Sequence, residues 1–318
     1  LRRRREAAAA RARGRRRLLV LVLAVLGILV ALVVTIGGGR DGDGGPSGPG
    51  KVSAARPAEL PRGGKRIFPR FRVVAFYGAP QDAELGALGI GTPDQAGRRL
   101  LRQARGYRDG GRRVLPAFEL IAVVANGGGG AEGLYRTRQS AATIRRYLAA
   151  ARRAKALLLL DIQPGRSDFI AEMQALEPFL SEPDVGLALD PEWHVGPGEI
   201  PGKVIGSVDA GVVNAVSARL AQIVRERRLP DKLLVVHQFT ADMVRRRATL
   251  LRRPGVPIVL DVDGFGSQPD KIAKYRELTR GTAGFANGLK LFYREDRGLM
   301  SPAQALHLRP QPQLVLYE

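Results

Sequence analysis

The sequence predicts an α/β chain of the (β/α)8 TIM-barrel class, preceded by one N-terminal transmembrane helix and a flexible linker. Three observations predict it. Eight short apolar runs recur beyond residue 70, and they are near-continuous rather than alternating, as in parallel strands covered on both faces. Helical patterns separate most of them. Polar or ionisable residues gather where the runs end, which in such a barrel is the functional mouth.

The N-terminal region comes first. Between Arg2 and Arg17 stand nine arginines against Glu6, and Leu18 to Ile36 then runs without a charge. That apolar run is long enough for a bilayer at about 1.5 Å per residue. Arginines on its N-terminal side keep that side cytoplasmic and place the rest outside. A cleaved signal peptide would show a shorter core and a small-x-small site, and Thr35-Ile36-Gly37 is a poor one. The expectation is therefore a basic cytoplasmic tail (1–17), an uncleaved anchor (18–36), a Gly- and Pro-rich linker (37–64) and a barrel (65–318), single-pass and extracellular. The chain of 318 residues has a net charge of +21 and no cysteine. That composition excludes disulfides, thiolate metal sites and a cysteine nucleophile. The basic excess is expected from arginine-rich composition or from attraction to anionic wall or membrane polymers, and not from nucleic-acid binding.

The expected strands are Phe71–Gly78, Arg113–Ala122, Ala156–Gly165, Val185–Trp193, Lys232–Phe239, Pro257–Gly266, Gly288–Tyr293 and Gln313–Glu318. The expected helices are Gln95–Tyr107, Ser140–Ala154, Asp168–Leu180 with Ser167 as cap, Val208–Arg228, Thr240–Leu251, Pro269–Leu278 and a short one opened by Ser301-Pro302. An open nucleotide-binding sheet is the alternative, but Gly86-x-x-Gly89-x-Gly91 lacks the dinucleotide spacing, and Pro197 stands where a phosphate loop before Gly202-Lys203 needs glycine. The stretch from Ala122 to Ser140 is too long for a tight turn, and reads as a lid or as a disordered insertion. Arg166 and Ser167 open a helix, either as an anion site or as simple capping.

Equivalent strand ends carry Tyr77, Glu119, Asp161 with Gln163, Asp190 with Glu192, His237 with Gln238, Asp263, Lys290 with Tyr293, and Glu318. Ionisable groups embedded in apolar strands are costly unless paired or solvated, so the set points to a ligand-binding mouth. Carboxylate pairs suit glycoside hydrolysis. Pro191 marks the rim, and continued extended geometry would point Asp190 and Glu192 the same way. Glu192, beside the single tryptophan Trp193, is the expected general acid; Asp190 is expected to stay ionised and tune it. Asp161 and Asp263 would act as base or nucleophile. Tyr77, Glu119, Gln163, His237, Gln238, Lys290, Tyr293 and Glu318 would bind substrate, with Trp193 as a stacking face. Asp261 is expected to face outward.

Two other readings use the same letters. Asp161, Asp190, Glu192, His237 and Asp263 could hold a divalent metal for phosphoester or amide hydrolysis, although His194, His237 and His307 form no paired-ligand motif. A non-catalytic glycan-binding or scaffold barrel is the third.

Taken together, "VVAFYGAP", "PAFELIA", "LLLLDIQPGRSDF", "LALDPEW", "LLVVHQFT", "DGFG" and "KLFY" resemble a group of bacterial extracytoplasmic proteins of the glycoside hydrolase barrel superfamily, over Phe71 to Glu318. Asp190-Pro191-Glu192 is similar to the Asp-x-Glu strand end of barrel muramidases and chitinase-like barrels, which implies Glu192 as the acid. The upstream aspartates of the chitinase pattern are replaced here by Gly186, Leu187 and Ala188. The specific activity is therefore not carried over from the resemblance; the expectation for the whole chain is a monomeric, membrane-tethered hydrolase of cell-wall or capsular glycans with no cofactor and no resident metal.

Overall fold

The computed structural model describes residues 58–80, 82–108 and 111–318, and in it the eight apolar runs close into one parallel barrel. The strands are β1 (Phe71–Gly78), β2 (Arg113–Ala125), β3 (Leu157–Ile162), β4 (Val185–Leu189), β5 (Leu234–Gln238), β6 (Ile258–Val262), β7 (Ala286–Leu291) and β8 (Leu314–Tyr317). Each hydrogen-bonds to the next in sequence, and β8 pairs with β1 through Val73↔Leu314 and Phe76↔Tyr317 to close the ring.

The near-continuous apolar character of the strands follows from this closure. Successive side chains point to opposite faces. Val73, Ala75, Leu115, Ala117, Leu157, Leu159, Ala188, Val235, Val259, Leu314 and Leu316 fill the barrel interior. Their neighbours Val74, Phe118, Leu158, Leu160, Leu187, Val236, Leu260 and Val315 pack against the surrounding helices. Both faces are therefore dry, and an ionisable residue in either register is buried by default.

The helices are α1 (Pro93–Arg105), α2 (Ala141–Arg153), α3 (Phe169–Leu180), α4 (Ala210–Arg227), α5 (Gln268–Leu278) and α6 (Pro302–His307). Thr92, Ser267 and Ser301 each open a helix with a capping box followed by a proline in its first turn. Helix α3 is capped by Asp168, which accepts from Ala171 N at 2.8 Å, rather than by Ser167. Ser167 instead donates to Glu172 at 2.6 Å, and Arg166 donates to the Glu199 carbonyl at 2.8 Å, so neither side chain caps the helix.

One expected helix is absent. Over residues 240–251 the chain forms a short strand, Val244–Arg245, paired with Val208–Asp209, and then a single 3-10 turn, Arg247–Thr249. Arg246 adopts a left-handed conformation that breaks a helix, and the Arg247 guanidinium donates to the Leu278 and Arg280 carbonyls. Tertiary contacts override the helical pattern here.

The stretch after β2 is a β-hairpin: Arg136–Arg138 returns antiparallel along Val123 to Ala125. Gly165 lies so close beneath it that a Cβ there would stand 2.4 Å from the Leu134 carbonyl oxygen. Glu172, on the first turn of α3, anchors the hairpin by accepting from Arg136 at 2.8 Å and Arg138 at 2.6 Å.

Among the described residues no helix is long and apolar enough to cross a membrane. The expected tail at 1–17, anchor at 18–36 and linker up to residue 57 lie outside the described residues. From Ala58 onward the chain belongs to the barrel unit, with Leu60 and Ile67 buried beside Phe71.

Candidate functional site

Strand register assembles the site. Tyr77 stands opposite Glu119, Ile121 opposite Asp161, His237 opposite Asp261, and Asp261 opposite Gly288. All lie in the inward register, and Tyr77, Asp161, His237 and Asp261 stand near the C-terminal ends of their strands, so the barrel brings the side chains to one pole. Glu119, Asp161 and Asp261 are fully buried, and Tyr77, Asp190, His237, Asp263 and Lys290 nearly so.

His237 occupies the centre. Its Nε2 lies 2.7 Å from Glu119 Oε1, and its Nδ1 lies 3.2 Å from Asp261 Oδ2 and 3.6 Å from Asp263 Oδ2. Burial opposes charge on the ring, but Glu119 and Asp261 outweigh it and hold His237 well above the usual imidazole range. Asp261 corrects the expectation that it faces outward. Residues i and i+2 share a face of a strand, so it enters the barrel with Asp263. Burial raises its carboxyl above the usual range. The space comes from Gly288, where a Cβ would lie 2.2 Å from Asp261 Oδ1.

A second group forms around Tyr77. Its hydroxyl lies 3.2 Å from Asp161 Oδ2 and 3.3 Å from Asp190 Oδ2, and accepts from Gln163 Nε2 at 2.9 Å. Gln163 is oriented by accepting from Ala125 N at 3.2 Å. Burial, then the negative charge of Asp190, pushes Asp161 well above the carboxylate range. Burial, then Glu192, pushes Asp190 up to about 7, so Asp190 is not the fully ionised group that the sequence reading expects.

A third group balances charge. Lys290 Nζ lies 2.7 Å from Glu318 Oε2 and 3.1 Å from Asp263 Oδ2, over the Tyr77 ring at 3.8 Å. Burial disfavours its charge, but Asp263, Glu318 and Asp190 prevail and hold it well above the usual lysine range. Asp263 also accepts from Gly264 N at 2.6 Å. The assembled mouth thus sets six carboxyl groups (Glu119, Asp161, Asp190, Asp261, Asp263 and Glu318) against two basic side chains, His237 and Lys290.

Four of the expected residues stand apart from these groups. Strand β4 ends at Leu189, and Pro191–Trp193 is a 3-10 turn, so Asp190 and Glu192 are not successive inward positions of one extended strand. Glu192 and Trp193 are half-buried on this turn at the rim, with Glu192 in electrostatic reach of Asp190. Gln238 alternates with His237 and accepts from Arg247 at 3.0 Å on the outer side of the barrel. Tyr293 lies beyond the end of β7, is 41% exposed, stacks on Tyr317 and donates to Gln103 at 3.2 Å. The other two histidines are also remote: His194 Nδ1 pairs with the Ser207 carbonyl and His307 Nδ1 with the Ala303 carbonyl.

No protein-family model matches the chain, and no curated protein aligns with it. The site therefore stands on a parallel eight-stranded barrel and its buried carboxylate–histidine cluster.

Proposed function

We propose that this protein is a carbohydrate-active hydrolase in which Asp190 and Glu192, at the end of β4, carry out acid/base chemistry on a glycan. One observation carries the reading. A buried carboxyl poised near neutrality, Asp190 at about 7, is in electrostatic reach of a second carboxyl, Glu192, on a half-buried rim turn. Two acids whose environments differ in this way are what glycosidic cleavage requires.

In this reading Glu192 meets the sugar and gives its proton to the leaving oxygen as the glycosidic C–O bond breaks. Asp190, beneath it, shares the proton of the pair. Asp263, whose carboxylate is held by Lys290 and Gly264 N, takes a proton from the attacking water. Trp193 supplies an apolar face for the ring. The reading includes the protein's place: a monomer tethered by residues 18–36 with the barrel outside the membrane, acting on cell-wall or capsular glycans. The arginine-flanked apolar run supports that location.

The test uses the full chain in detergent against a panel of wall and capsular glycans. Wild type is expected to release reducing ends. Glu192→Gln is expected to lose turnover by at least about 100-fold while keeping glycan affinity. A wild type that neither cleaves nor binds any of these glycans overturns the reading, and one that binds without cleaving makes the barrel a glycan-binding module.

A further inference from the structure

Two carboxylate oxygens at the centre of the mouth are left without partners, beside an imidazole nitrogen that has one. Glu119 Oε2 and Asp161 Oδ1 are buried and accept no hydrogen bond, and His237 Nε2 is shared only with the other Glu119 oxygen. One ligand atom from each of Glu119, Asp161 and His237 lies within 4.8 Å of the other two. Buried carboxylate oxygens without a donor cost free energy unless a cation or a proton answers them.

We propose that Glu119, Asp161 and His237 form a binding site for one divalent transition-metal cation, Zn²⁺ or Mn²⁺. Two carboxylates and one imidazole suit such an ion better than calcium, which takes an all-oxygen shell. Three protein ligands leave a coordination position for water or substrate, the arrangement of an open rather than a structural zinc site. The surroundings agree. His237 Nδ1 faces Asp261, the carboxylate placement that fixes a ligating imidazole's tautomer and leaves Nε2 for the metal. Tyr77 holds the other Asp161 oxygen and so orients that carboxylate. The surplus of carboxyl groups over His237 and Lys290 supplies the attraction. The wider set of metal ligands drawn from sequence narrows accordingly. Asp263 is committed to Lys290, Asp190 to Tyr77 and Gln163, and Glu192 stands at the rim, while Glu119 joins.

The proposal goes beyond the hydrolytic reading and assigns Asp161 to the cation rather than to proton transfer. It is tested without any glycan, so its failure and the failure of that reading are separate results. Full-length protein is stripped with chelator, desalted and titrated calorimetrically with ZnCl₂ and with MnCl₂. One equivalent is expected to bind at micromolar or lower concentration. Glu119→Gln and His237→Gln are expected to weaken binding by at least about 100-fold, and Asp261→Asn by about 10–100-fold. Glu84→Gln, on the surface, is expected to bind as wild type does. Because core variants can misfold, wild-type crystals soaked in ZnCl₂ provide a second readout. An anomalous peak about 2.0–2.2 Å from Glu119, Asp161 and His237 atoms is expected. No saturable binding below millimolar ion, binding unchanged in the ligand variants, or a peak located elsewhere overturns the proposal.

Discussion

Replacing Asp190 with asparagine isolates the most informative electrostatic feature of the mouth. In the folded protein burial and Glu192 raise the Asp190 carboxyl from 3.8 to about 7. The unfolded chain releases that proton near pH 4 and the folded chain retains it to near pH 7. The folded state therefore binds more protons across this window, and stability falls as pH rises through it. The stabilising contribution is fully present below the unfolded value and lost above the folded one. Roughly three pH units at about 1.4 kcal/mol each give a loss of about 4 kcal/mol. Asp161, whose carboxyl is also raised and faces the same Tyr77 hydroxyl, shares in the titration, so about 2–4 kcal/mol is the expected range. Asparagine keeps the size and an acceptor for Tyr77 but cannot ionise. Urea unfolding followed by fluorescence of Trp193, in chelator, at several pH values from 4 to 8 measures the effect. Wild type should lose stability relative to Asp190→Asn by that amount across the range, leaving the variant the more stable protein at pH 8. Parallel curves for the two proteins would refute the reasoning, because they would mean that Asp190 ionises alike in both states.

Other consequences follow from named contacts. Glu172→Gln removes the buried partner of Arg136 and Arg138, which should cost about 3 kcal/mol by chemical denaturation and make the hairpin around Arg136–Arg138 the first site of limited proteolysis. Burial disfavours the Glu172 charge, but bonds from Arg138, Ser167 and Arg136 outweigh it and lower its carboxyl below the usual value. Its contribution should therefore be present near neutrality and vanish as pH falls through that lowered value, a slope missing from the glutamine variant. Gly288→Ala places a Cβ against Asp261, and a loss of about 1–3 kcal/mol is expected in thermal or urea unfolding. Leu159→Ala opens a cavity inside the closed barrel and should cost about 2–5 kcal/mol by the same measurement, with secondary structure retained by circular dichroism.

Much of the barrel was legible because its strands are dry on both faces. An apolar run such as Leu157 to Leu160 can only be covered by an interior and a helical layer, and all eight runs became strands. The acids at the strand ends were legible for the same reason, since they stand out against largely apolar runs. Three physical effects concealed the rest. Pro191 begins a 3-10 turn, so strand alternation stops before it can align Asp190 with Glu192. Alternation does govern Asp261 and Asp263, and carries both inward; Gly288 on the neighbouring strand was the local sign that something needed room there. The same rule separates His237 from Gln238, because adjacent residues of one strand cannot both enter the barrel. The missing helix at 240–251 reflects Val244 pairing with Val208 and the Arg247 bonds to distant carbonyls, long-range contacts that no local pattern announces.

The proposed function requires the carboxyl groups at the C-terminal pole to serve one substrate-handling site. A structure of the Glu192→Gln protein, folded as wild type and soaked with oligosaccharide fragments of a glycan the wild type cleaves, tests it most directly. A sugar seated over the mouth is expected, with its glycosidic oxygen within hydrogen-bond distance of residue 192 and a ring against Trp193. A sugar bound instead in a cleft on the outer helical layer, with the mouth untouched, would contradict it.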